Sequence, residues 1–163
     1  MLSRLFAFPN LVNDYAARLV AGAVATMAIM IVFFDVGWMV GLLAYGFLAR
    51  VLTGPRLSPL ALLATRVLIP LAGNPEKPVP GPPKRFAQAI GVGFSSTGLV
   101  LMLLGAVTAS KVVIGVLCLF ALAESLVGFC AGCFVFSYLM AWGVIPSAVC
   151  EACQRYLPPT VEG

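Results

Sequence analysis

The sequence predicts an all-α protein, a polytopic membrane four-helix bundle with a short interfacial helix between spans two and three. Three observations carry that expectation. The 163 residues are 61% hydrophobic and only 10% charged, with a mean hydropathy of +1.05, which leaves too little polar surface for a water-soluble domain. Apolar runs long enough to cross a bilayer core of about 30 Å recur along the chain. Lys and Arg flank those runs instead of clustering with aromatics, so the net charge of +4 reads as a topology signal and not as a nucleic-acid surface.

The elements follow in chain order. Residues 1–15 form a cytoplasmic N-terminal segment, and the apolar stretch after it carries no Ala-x-Ala-like cleavage site, so it is a retained span. The spans are residues 16–33, 38–53, 86–109 and 112–140, within a membrane domain of residues 16–145. Asp35 and Gly37 supply a very short polar turn between the first two spans, and residues 109–111 close the second hairpin. The connection at 54–85 begins with a short helix, Ser58 as N-cap and Pro59 at the first position, too short to span and expected to lie in the interface. The stretch "NPEKPVPGPPKR" follows, with prolines that forbid regular structure, as either a passive connector or a docking site. Residues 146–163 are a cytoplasmic tail. In this arrangement every Lys and Arg except Lys111 falls on one side, and the positive-inside rule makes both termini cytoplasmic.

Five cysteines, an odd number, argue against a fully paired disulfide framework, and the absence of histidine removes the commonest general base and metal ligand. Any chemistry falls to Cys, Asp or Glu. In "GFCAGC", Cys130 and Cys133 lie about 27 Å along the last span, near the inner boundary. The apolar run continues to Ile145, and a straight helix of that length reaches about 50 Å, so it must tilt or break, with Gly128 and Gly132 marking the place. A break there puts both thiols at the N-terminus of a new helix, where the dipole and unpaired amides favour a thiolate. Cys130 and Cys133 are therefore the candidate catalytic pair for redox or sulfur chemistry. The alternatives are glycines serving close helix packing beside small apolar cysteines, or a metal site.

Cys150 and Cys153 in "CEAC" are accessory thiols on the tail. With the first pair they complete Cys-x2-Cys-x16-Cys-x2-Cys, a zinc-like spacing. The intervening apolar, helical residues hold the pairs apart unless the chain reverses near Gly143 and Pro146, so neither a metal nor another cofactor is expected. Cys118 has no sequence partner and is expected in the core. Glu124 is the one acid inside a span and hence a candidate binding residue. Depth arithmetic sets it level with Ser95, Ser96 and Thr97 on the third span, Thr26 on the first and Tyr45 on the second, with Arg50 nearby. That polar layer serves either as interhelical hydrogen bonding or as a path for a proton or solute.

Taken in order, "ARVLTGPRLSP", "TRVLIPLAG", "PKRFAQAIGVGF" and "LFALAESLVGFCAGCFVFSYL" resemble a family of small bacterial inner-membrane proteins, the domain of unknown function number 4395. The resemblance runs from about Asn10 to Met140. Its most specific element is Gly128, Phe129, Cys130, Gly132 and Cys133; Phe86, Ala87 and Gln88 add to it. It implies a four-span protein of the bacterial inner membrane, sometimes associated with thioredoxin-like or sulfurtransferase proteins. Expected partners are the lipid bilayer, such a cytosolic protein, and a second copy or another membrane protein.

Overall fold

A computed structural model describes residues 11–54, 57–75 and 77–146. Strand β1 (Leu11–Asn13) leads into helix α1 (Asp14–Phe34); α2 (Met39–Thr53) and a short α3 (Pro59–Leu71) follow. Strand β2 (Pro78–Pro80) precedes α4 (Gly81–Leu103), α5 (Val107–Val127) and α6 (Ala131–Ala141). Among the described residues the protein is all-α apart from the two three-residue strands. By length and composition α1, α4 and α5 are long and apolar enough to cross a membrane. Helix α2, at 15 residues, extends about 22 Å.

Asp35 ends α1 in the left-handed region, at φ 56°, and Gly37 completes the tight turn expected there. The second turn lies earlier than expected. Gly105, at φ 80°, reverses the chain after Leu104, and residues 109–111 already belong to the first turns of α5. Lys111 reaches back to Asp35 at 2.5 Å and ties the two turns together at one end of the molecule.

The other end is organised by a clip that the proline-rich sequence did not suggest. Leu11, Val12 and Asn13 pair antiparallel with Pro80, Val79 and Pro78. The Asn13 side chain accepts from the Tyr15 amide at 3.1 Å, capping α1, and donates to the Pro75 carbonyl at 2.8 Å. Pro82 and Pro83 sit in the first turn of α4, where an amide has no intrahelical acceptor to lose, so the helix opens at Gly81, five residues before its expected start. The clip sets the N-termini of α1 and α4 side by side. Ser58 occupies the N-cap position of α3 but makes no capping bond; its buried hydroxyl lies 3.3 Å from Arg50 Nη1.

The core joins small residues of α1 (Ala25, Ala28) to Ile114, Leu117 and Cys118 of α5, and to Leu43 and Phe47 of α2. Helix α4 packs on α2, α5 and α6, and α1 packs chiefly on α5. Glycines set the closest approaches. A Cβ on Gly91 would lie 2.3 Å from the Phe47 ring, and one on Gly98 would lie 2.7 Å from Ile114 Cδ1. Cys118 is buried in this core, its Sγ 3.7 Å from the Ala25 carbonyl oxygen.

Candidate functional site

The last turn of α5, from Ala123 to Val127, is wound as a π-helix, a form that frees backbone carbonyls and is frequent at functional sites. Arg18 on α1 takes up two of those carbonyls. Its Nε donates to Ser125 O at 3.2 Å and its Nη2 to Leu126 O at 2.9 Å, placing a cation at a helix C-terminus where the dipole favours one. Gly128 then adopts φ 78° and the helix stops. A Cβ there would stand 3.4 Å from the Arg18 guanidinium.

The break falls where the glycines predicted it, and Cys130 becomes the N-cap of α6. Its sulfur accepts from the Cys133 amide at 3.4 Å, and the Cys133 thiol donates to it at 2.7 Å. Both are free thiols, separated by more than the roughly 2.05 Å of a disulfide bond. The Cys133 hydrogen bond draws the Cys130 thiol below its ordinary pKa. Burial and the Glu124 carboxylate oppose that shift, and the Lys84 ammonium assists it. Cys133 moves up, because its proton is held by Cys130 and because it is buried. The geometry therefore divides the pair into an incipient thiolate and a proton donor.

Gly132 lies between the two cysteines and performs the packing role. A Cβ on it would meet Ala87 Cα and Cβ at 2.5 Å, so α6 rests on α4 backbone to backbone. Gly128, by contrast, serves the turn.

Lys84, on α4, joins this site to the rest of the molecule. Its ammonium lies 2.7 Å from Glu124 Oε1 and 3.2 Å from Asp14 Oδ1, and Asp14 also meets Lys77 at 3.5 Å. Lys84 and Asp14 are buried and Glu124 is half-buried. A cleft of about 400 Å³ opens over Asp14, Lys77, Lys84, Cys130 and Cys133.

This replaces the expected polar layer. Because α5 begins at Val107, Glu124 lies about 26 Å along it, and because α4 begins at Gly81, Ser96 and Thr97 lie about 22–24 Å along an antiparallel neighbour. The two boundary shifts carry these groups to opposite ends of the bundle. Ser96, Thr97, Thr26 and Tyr45 are exposed, and Thr26 and Ser95 bond back to carbonyls of their own helices. Lys84, read from sequence only as one of the cations that flank the spans, is the partner that Glu124 has.

A second polar node stands beside the first. Arg50 is buried, its Nε donates to Gln88 Oε1 at 2.8 Å, and its guanidinium lies 4.5 Å from the centre of the Phe47 ring. No group of three or more Cys, Asp or Glu suited to a metal ion occurs among the described residues. Cys150 and Cys153, and with them the zinc-like spacing, lie outside the described residues.

Residues 12–141 match the family described as Domain of unknown function (DUF4395). The chain belongs to that family. The match covers both polar nodes, the helix break and all of α6, so the dithiol lies within the DUF4395 region and the "CEAC" tail lies beyond it. No curated protein and no solved structure matches the chain.

Proposed function

We propose that this DUF4395 protein is a four-span thiol protein of the bacterial inner membrane. Cys130 and Cys133 work as a dithiol at the cytoplasmic boundary, exchanging electrons or sulfane sulfur with a soluble thioredoxin-like or sulfurtransferase partner. The observation that carries the reading is the contact between the two thiols at the N-terminus of α6, with the proton on Cys133 directed at Cys130. Cys130 is the nucleophile in this scheme. Its thiolate attacks a partner disulfide to form a mixed disulfide; Cys133 then attacks Cys130, releasing the partner as a dithiol and leaving Cys130–Cys133 oxidised.

Charge and aromatic placement support the location. Lys111 stands at the end opposite Lys77, Lys84 and Arg18, in keeping with cytoplasmic termini. Phe134, Tyr138 and Trp142 recur every four residues from α6 to its C-cap, exposed and in edge-to-face contact, in keeping with an interfacial aromatic belt. Helix α2 supplies the fourth crossing, its short length offset by local thinning of the bilayer. Glu124, ion-paired to Lys84, sets the field at the dithiol in this reading and carries no solute.

The test is partner trapping. Cys133→Ser should accumulate a mixed disulfide through Cys130, and Cys130→Ser should form none. A scaffold role, in which Gly132 and the small residues only pack helices, instead predicts that both variants exchange nothing and that the parent chain is equally inert.

A further inference from the structure

Cys130 has two surroundings. With Cys133 it borders the polar cleft, and it also lines a separate cavity of about 280 Å³ among α1, α2, α4, α5 and α6. The walls of that cavity are almost wholly aliphatic and aromatic. Phe120 and Val135 both line it and are exposed on the outer surface, so it communicates with the faces that meet lipid. Its polar groups are few: Arg50, Gln88 and Glu124.

Arg50 and Gln88 have hydrogen-bonding capacity to spare. Arg50 Nε is engaged by the Gln88 carbonyl and Nη1 by Ser58, whereas neither Arg50 Nη2 nor the Gln88 side-chain amide nitrogen has a protein acceptor among the described residues. No buried side-chain polar atom among the described residues lacks a partner, so these two donors reach accessible space, where a ligand's acceptor can meet them. The cavity thus combines an apolar body, a route to lipid, spare donors and a sulfur ready to lose electrons.

We infer that this cavity binds the head group of a lipid-soluble quinone, and that the Cys130–Cys133 dithiol reduces it. The inference rests on the dithiol reading above and names its second substrate. A quinone head is a flat apolar ring with carbonyl acceptors at its ends, which the aromatic walls and the Arg50 and Gln88 donors match. The reaction balances without a further reagent. The Cys130 sulfur adds to a ring carbon and its proton goes to one quinone oxygen. Cys133 sulfur then attacks Cys130 sulfur; the S–S bond forms as the C–S bond breaks, and the electron pair stays with the ring. The Cys133 proton goes to the second oxygen, so two electrons and two protons convert quinone to hydroquinone. The soluble partner in its dithiol form then restores the Cys130–Cys133 dithiol through the polar cleft, by the reverse of the exchange above, and leaves as its own disulfide.

The experiment uses the full chain, reduced and held in phospholipid nanodiscs, with ubiquinone-1 as the probe. Quinone absorbance follows reduction and mass spectrometry follows the disulfide. A soluble thioredoxin disulfide serves in parallel as the other oxidant. The expected result is stoichiometric quinone loss with formation of Cys130–Cys133, and a quinone KM raised roughly tenfold in Gln88→Leu by the loss of one hydrogen bond, with exchange with thioredoxin unchanged. Ala121→Leu, which fills the cavity from α5, should raise the same KM and guards against a folding defect at Gln88. Oxidation by thioredoxin with no reaction toward quinone, or quinone kinetics indifferent to both variants, overturns the quinone site and leaves the dithiol standing. Inertness toward both oxidants overturns both.

Discussion

Replacing Lys84 with methionine isolates the electrostatic centre of the molecule. The ammonium is 8% exposed and bridges Glu124 at 2.7 Å and Asp14 at 3.2 Å. Without it Asp14 keeps Lys77 at 3.5 Å, a pair whose cation is 59% exposed and worth under about 1 kcal/mol. Glu124 keeps only the more distant field of Arg50. Removing one partner of a buried pair costs about 3–5 kcal/mol, because the other charge is left uncompensated, which is roughly two to three and a half powers of ten in the folding equilibrium. The assay is unfolding of the purified chain by SDS in mixed micelles, followed by helical circular dichroism. Adding Glu124→Gln to Lys84→Met removes the stranded carboxylate and should recover about half of the loss, because the coupled pair is not additive. A single variant within about 1 kcal/mol of the parent, or a double variant no better than the single, refutes the assignment of Lys84 as the structural bridge.

Four further outcomes follow from particular positions. Gly132→Ala drives a Cβ to 2.5 Å from the Ala87 backbone and should destabilise by about 1–3 kcal/mol in the same assay. Gly41→Ala, a helical position with open space around it, should stabilise by about 0.5–1 kcal/mol. Gly128→Ala forces a side chain into φ 78° and should cost about 1–2 kcal/mol, seen as a lower SDS midpoint. Alkylation of Cys130 by iodoacetamide, which consumes thiolate, should rise with pH with its midpoint shifted below that of an ordinary cysteine thiol. In Cys133→Ala the hydrogen bond that lowers the Cys130 pKa is gone, so the profile moves to higher pH; an unmoved profile contradicts the shared proton.

What the sequence disclosed depended on whether a feature was local. The broken helix at Gly128 was legible because an apolar run too long for a membrane must break, and glycine is where breaks are cheapest. From the break alone it followed that Cys130 would stand at a helix N-terminus, and the α1–α2 turn at Asp35 and Gly37 was equally local. The second hairpin was misplaced because Lys111 looked like a turn residue, whereas Gly105 supplied the required positive φ. That slip, with the earlier start of α4 on two prolines, moved Glu124 away from Ser96 and Thr97 and toward Lys84. Periodicity places residues on a face, but depth along an antiparallel pair accumulates every boundary error at 1.5 Å per residue. The β1–β2 clip was hidden for a different reason. Prolines lack ladder donors, and only the edge position of a two-stranded pair tolerates them. The Arg50–Gln88 pair, 38 residues apart in sequence, had no local signal.

The dithiol is tested most directly by counting thiols in place. Membranes carrying the chain are labelled with a maleimide mass tag at a series of glutathione potentials, with and without a zinc chelator, and the peptide bearing Cys130 and Cys133 is weighed. A two-electron dithiol predicts that both sulfurs pass together from tagged to untagged as the potential rises, with no effect of chelator. Sulfurs that stay unreactive at every potential until the protein is denatured, or that become reactive only with the chelator, contradict it.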